Sequence, residues 1–324
     1  MLHIGVDFHK RFSRVVVLDD AGTVVERQTL QHDDRAGMAE YFRDKAGGAV
    51  ATVEAVRGWY WMDELLAEAG VEMKLAHPRK VRLIAESTIK TDTIDATTLA
   101  QLERTGFLPQ AYIPQRSVRD SRELLRYRMT LVRIRTGLKN RVHAVIDKLG
   151  IEHHFSDLFG LAGRKFLRSL QLRPVYQQQL DNYLELMEEV ERRLRLVTQQ
   201  IKASLRPDPR AELLMTIPGV AHITAYLLLW EIGDIGRFRS AKKLCAYAGL
   251  VPVTRQSADR CWQGRITKDG NRYIRWGMVE AACKAPAKDY GLGQFYRRVR
   301  TSRRAEGAGG GRPQAAHRGM VRAD

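Results

Sequence analysis

The 324-residue sequence predicts an α/β amino-terminal domain built on a mixed sheet, followed by a long helical coiled-coil segment and a mainly α carboxy-terminal domain. Three observations predict it. Short apolar, β-branched runs crowd residues 2–31 and then alternate with helical stretches to about residue 105. Between 117 and 205, apolar residues recur every three or four positions. Beyond 211 the pattern stays helical, with a Pro-Gly turn between two apolar stretches.

Leu2 to Phe8, Ser13 to Leu18 and Thr23 to Leu30 read as strands, the last two joined across Asp20-Ala21-Gly22. A helix over Ala36 to Lys45, a strand over Ala49 to Val56, a helix over Trp59 to Ala69, a strand over Glu72 to Ala76 and helical sequence from Arg79 to about Thr105 complete a domain of residues 1–112. In the segment 113–208, Leu124, Tyr127, Leu131, Ile134, Leu138, Val142, Val145 and Leu149 step by 3,4,3,4,4,3,4, a heptad seam with one stutter. Leu180, Tyr183, Met187, Val190, Leu194, Val197 and Ile201 make a regular second seam, bracketed by Pro174 and Pro207. An antiparallel hairpin within one chain and a coiled coil joining two chains both satisfy these seams. In 209–300, LLMTIPGVAHITAYLLLWEIGD reads as helix, tight turn, helix, and resembles a helix-hairpin-helix element. Backbone amides near Gly219 to Ala221 would then face a phosphate, although Ala221 stands where such hairpins usually carry a second glycine. Residues 301–324, rich in Gly, Arg and Ala without apolar period, predict disorder.

With 54 Lys+Arg against 37 Asp+Glu, the net charge of +17 points to a phosphate-rich partner, nucleic acid first. The first long helix carries nine basic residues against three acidic ones, more lopsided than solubility requires. Arg126, Arg133, Lys139 and Arg141 are its candidate phosphate contacts. Cys245, Cys261 and Cys283 form no CxxC pair, which argues against a zinc site or a disulfide framework and suits the cytoplasm. The sequence opens directly on a strand, holds no apolar run of about 18 residues and offers no basic amphipathic anchor, so neither secretion nor a membrane partner is expected.

The chemistry-bearing residues form two groups. Asp7 and Glu54 end apolar strands, rigid platforms that aim a carboxylate above a sheet, and Gly5 thins the strand beside Asp7. In KTDTIDA, Asp92 and Asp95 share a helix face by i,i+3 spacing. Several carboxylates of this kind suit a pair of Mg²⁺ ions for phosphoryl transfer. The second group is GLVPVTRQSADRCWQGRITKDGNRYIR, where Ser257 lies in a loop among Arg255, Arg260, Arg265, Lys268, Arg272 and Arg275, with Gly264 and Gly270 allowing close backbone approach. Such charge would hold a scissile phosphate and favour a serine alkoxide. A sugar-kinase or actin-like ATPase also begins with an Asp-bearing strand and hairpin, but no Gly-rich phosphate loop follows here.

GVDFHK, VEAVRGWYW, KTDTIDATTLA, IPGV and GRITKDGNRYIR, in this order, resemble the DEDD-type insertion-sequence transposases, whose first domain is similar to the RuvC resolvase of RNase H-like fold. The resemblance spans about residues 1–300. It implies a site-specific DNA recombinase with Asp7, Glu54, Asp92 and Asp95 as the acidic metal site and Ser257, seven residues before Gly264, as the nucleophile. It also implies a structured noncoding RNA that bridges donor and target DNA. At least a dimer is expected, with the 117–205 helices as the joining element. Ala258 stands where glycine commonly follows the serine. A Gly/Arg tail replaces the further helix usual after FYRRVR, which implies a truncated or frameshifted end. A hydrolytic RuvC-like nuclease using the acids alone and a catalytically decayed binding remnant remain as alternatives.

Overall fold

The computed structural model describes residues 1–85, 91–204, 207–257, 260–284, 291, 293–299 and 301. The expected disordered tail lies outside the described residues, apart from Thr301. The chain forms two compact units, residues 1–114 and 115–324.

In the first unit, β1 (Leu2–Phe8), β2 (Phe12–Leu18) and β3 (Val24–Gln31) form an antiparallel meander. There follow α1 (Arg35–Arg43), β4 (Ala49–Glu54), α2 (Trp59–Glu68), β5 (Glu72–Ala76), α3 (Pro78–Ile84), α4 (Asp92–Arg104) and the two-residue β6 (Gln110–Ala111). The strand order is β3-β2-β1-β4-β5-β6, with β1, β4 and β5 parallel and the remaining pairs antiparallel, the mixed sheet expected. Alternation sorts the side chains. Ile4, Val6, Val15, Val17, Ala51 and Val53 pack with Met38 and Phe42 of α1 and Met62 and Leu66 of α2. Gly5 lies on the other face, where a Cβ would sit 1.8 Å from the Ala96 carbonyl oxygen, so glycine is what lets α4 lie against β1.

One helical stretch was expected over 79–105, and two helices stand there instead. Thr91 starts the second as its N-cap, its hydroxyl accepting from the Ile94 amide.

The second unit begins with α5 (Arg116–Lys148), α6 (Leu161–Ser169) and α7 (Pro174–Ser204). Leu125, Met129 and Leu131 of α5 meet Leu194, Val197 and Ile201 of α7, whereas Leu138, Val142 and Ile146 meet Leu180, Leu184 and Met187, so the pair is antiparallel and closes within the chain. On α7 the expected Leu180, Met187, Leu194, Val197 and Ile201 are buried, Tyr183 and Val190 are half-buried, and Leu184 joins the seam. On α5 the expected seam residues Tyr127 and Ile134 are 45% and 46% exposed, and Leu125 and Met129 point inward instead. The neighbour they would meet is not a second coiled-coil strand along the whole length. It is the carboxy-terminal segment, whose Ala225, Leu228 and Ile274 share one core with α5 and α7. The boundary expected at 208 is therefore one of sequence pattern and not of packing.

That segment holds α8 (Pro209–Met215), α9 (His222–Ile232), a 3₁₀ turn (Ile235–Arg237), α10 (Ala241–Tyr247), the hairpin β7 (Pro252–Ser257) and β8 (Arg260–Ile266), and α11 (Arg272–Lys284). The hairpin corrects the reading of this region as helices and loop. Among the described residues, no helix is long and apolar enough to cross a membrane.

Candidate active site

Asp7, the last residue but one of β1, and Glu54, the last of β4, lie at the same end of adjacent parallel strands, one residue beyond the paired row Val6–Val53. Asp7 shares the face of Gly5, the face that α4 covers. Asp92 opens α4 and Asp95 follows within its first turn, where the helix dipole favours carboxylates. The close approach of α4 at Gly5 thus carries two acids towards a third.

His9 Nε2 lies 3.0 Å from Asp7 Oδ2 and 3.2 Å from Asp92 Oδ2. Asp7, His9 and Asp92 each offer a ligand atom, all within 4.8 Å of one another. Burial raises the Asp7 pKa above its ordinary 3.8; His9 opposes that shift, and the Asp92 and Asp95 charges add to it. Carboxylates and an imidazole that crowd like charge in this way fit a divalent cation. His9 was missed in the sequence reading, although it follows Asp7 by two residues. Arg14 was missed as well. It lies on β2 opposite Asp7 in the strand register, and its Nε donates to Thr93 Oγ1 at 3.2 Å, tying the start of α4 to the sheet.

The serine group lies in the second unit. Ser257 is the exposed last residue of β7, paired with Arg260 across the hairpin, and so belongs to a strand end and not to an open loop. Arg255 lies two residues before it on the same strand, also exposed, as are Arg265, Lys268 and Arg272. Arg275 is turned to a structural task, its Nη1 donating to the Ala248 carbonyl oxygen at 2.8 Å. The glycines are used internally too. A Cβ on Gly270 (φ 140°) would sit 2.2 Å from the Tyr247 oxygen, and one on Gly264 would meet the Trp262 ring at 2.6 Å. The Gly270 contact presses the loop after β8 onto the end of α10, whereas Gly264 leaves room for the Trp262 ring on its own strand.

Residues 211–297 match the Transposase IS116/IS110/IS902 family, and residues 4–151 match a transposase family of the DEDD IS110 type. The chain belongs to this transposase family. It is 27% identical over 285 residues to a probable family 20 transposase of Pseudomonas aeruginosa, covering 86% of this chain and 82% of the relative. It is 28% identical over 289 residues to the transposase for insertion sequence element IS1328 of Yersinia enterocolitica, with the same coverage. Against the transposase for IS1111A of Coxiella burnetii it is 25% identical over 296 residues, 86% of this chain and 76% of the relative. The IS110-type transposase acts in DNA transposition, so DNA is its substrate.

The basic face expected on α5 of the transposase divides in two. Arg126 is drawn inward: its Nε and Nη2 donate to the fully buried Glu231 at 2.7 and 2.9 Å, and its guanidinium lies over the Tyr273 ring. Arg122, also buried, donates to the carbonyl oxygens of Trp230 and Glu231, the last residues but one of α9 and its neighbour, where a helix end carries partial negative charge. Arg133 and Arg141 are exposed, as a phosphate contact requires, and Lys139 lies over the Phe159 ring. Gly219 (φ 87°) turns the chain between α8 and α9 and lies against α11, where a Cβ would meet the Ala281 carbonyl oxygen at 2.3 Å. Ala221 makes no side-chain cap at the start of α9.

Proposed function

We propose that the transposase excises and inserts a mobile DNA element by strand cleavage and exchange through a covalent serine–DNA intermediate. The observation that carries this reading is the convergence of Asp7, His9 and Asp92 at one end of the sheet. Asp7, Glu54, Asp92 and Asp95 hold Mg²⁺ in this scheme, with the His9 imidazole as a further ligand. The ion, when bound, supplies positive charge beside the scissile phosphate. Ser257 Oγ then forms a bond to phosphorus as it loses its proton, the bridging P–O bond breaks, and the departing sugar oxygen takes up a proton. Attack by the hydroxyl of a new strand reverses the step and restores the serine. Arg255, Arg260, Arg265, Lys268 and Arg272 offset charge on the phosphate.

The scheme takes a structured RNA from the element's flank as guide and a homodimer or higher oligomer as the working form. Light scattering on the nucleic-acid complex tests the oligomer, and a stable monomer contradicts it.

The central experiment supplies labelled donor and target duplexes, flanking RNA and Mg²⁺, and resolves products on a denaturing gel. A protein–DNA adduct is expected from the wild type and from neither Ser257→Ala nor Asp7→Ala. Cutting without an adduct would instead mark a hydrolytic nuclease, and binding without cutting a decayed copy.

A further inference from the structure

Between α5 and α7 an open groove of about 440 Å³ is lined by Arg128, Arg135 and Arg195, with Thr198 and Gln199 beside them. Arg128 and Arg135 are seven residues apart on α5, two helical turns, and so share a face. Arg195 and Gln199 are one turn apart on α7. Arg128 is half-buried and fixed in place, its Nε donating to Thr198 Oγ1 at 2.9 Å. Burial, then the Arg135 charge, lowers its pKa.

The local charge is unbalanced. Glu191 is the acid that lines the groove, and Arg164 holds both its oxygens at 2.6 and 2.8 Å. Arg135 Nε is buried and has no hydrogen-bond partner among the described residues. Guanidinium groups gathered where the one lining carboxylate is already taken by Arg164 cost free energy through repulsion, a cost that a bound anion removes. Planar forks beside the Gln199 amide match phosphate oxygens, whereas the Thr198 hydroxyl donates to the Leu194 carbonyl oxygen at 2.6 Å and serves to hold Arg128. Elsewhere on α7, by contrast, Arg192 and Arg193 are both paired with Glu189.

We propose that Arg128, Arg135 and Arg195 form a phosphate-binding notch on the helical hairpin that grips the backbone of a nucleic acid strand. The notch contains none of the acids and not Ser257, so the role assigned to it is affinity and register and not bond breaking. It also assigns the affinity of this hairpin to residues other than Arg126, whose guanidinium is held by Glu231.

The test compares the double variant Arg135→Ala/Arg195→Ala with the charge-matched Arg192→Ala/Arg193→Ala, both in the full chain. Arg128 is left intact because it braces α5 against α7, and circular dichroism checks that both variants fold. Binding of a labelled DNA duplex and a labelled RNA hairpin is measured across a salt series. The notch variant is expected to bind at least one of them about tenfold more weakly and to flatten its log–log salt slope by about 2, with the control close to wild type. Equal losses in the two variants, or none in either, overturn the proposal. A second arm uses inorganic phosphate alone. If phosphate raises the wild-type Tm but not that of the notch variant while nucleic acid binding is the same in both, the site serves a free anion and the assignment to a strand fails. Adduct formation depends on Asp7 and Ser257, so failure here leaves the proposed reaction standing and the reverse also holds.

Discussion

Asp7 and Glu231 are both withdrawn from water, and their surroundings could hardly differ more. Glu231 is fully buried, yet Arg126 grips both its oxygens, and Asn271 Nδ2 donates to Oε2 at 2.7 Å. Asn271 in turn accepts from the Tyr273 and Ile274 amides and caps α11, so one carboxylate joins α5, α9 and α11. Asp7 sits among further carboxylates, with His9 as the nearby imidazole. A carboxylate whose charge is already matched inside the protein holds the fold together. One left among like charges stores repulsion that an incoming cation relieves.

The contrast is broken most directly at Asp7. Asp7→Asn is expected to lower strand cleavage by more than about a hundredfold while leaving the fold intact. Because the folded pKa of Asp7 exceeds the unfolded one, its contribution to stability is fully present below the ordinary 3.8 and is lost as pH rises through the raised value. In EDTA near neutral pH the Asn variant should therefore melt above wild type, and the gap should close at low pH. Melting curves against pH check this, and a variant that melts lower would make Asp7 a structural acid like Glu231.

Glu231→Ala should act in the opposite sense. It strands Arg126 and Asn271 beside a cavity, and urea unfolding is expected to show a loss of about 3–5 kcal/mol. Arg126→Ala should cost a similar amount and leave the salt slope of DNA binding unchanged. A change in slope would return Arg126 to the nucleic-acid interface. Smaller is the effect of Gly5→Ala. The added Cβ pushes α4 from β1, with a loss of about 1–3 kcal/mol and weaker Mn²⁺ binding by calorimetry as Asp92 moves from Asp7. Metal binding at wild-type strength would show that the acids do not depend on this contact. The smallest effect is expected from Arg133→Ala, an exposed charge. It should weaken DNA binding a few-fold and reduce the salt slope by about 1, with no shift in Tm.

The sheet and much of the acid cluster were legible because their signals are local. Short apolar, β-branched runs mark β1 and β4 and carry an acid towards the end of each, and the spacing of Asp92 and Asp95 sets them on one helix face. The regular seam of α7 was legible for the same reason. On α5 the heptad misled, since the apolar spacing through Tyr127 and Ile134 is sound for a helix meeting one long partner, whereas the amino-terminal half meets α9 and α11 as well. The β7–β8 hairpin gave little pattern because β7 is exposed along most of its length, and a strand without a buried face shows no alternation.

Composition and local pattern thus determined the element types of the first unit and of the two long helices, the acids near the strand ends and the basic character of the chain. Tertiary structure decided which charges are spoken for. Arg126 and Arg133 are alike in sequence, yet one meets Glu231, 105 residues away, and the other faces solvent. His9 gains its place from Asp92, which lies on a helix far along the chain. The physical reason is that a charge's role depends on the dielectric and the counter-charge around it, and both are set by residues that only folding brings near.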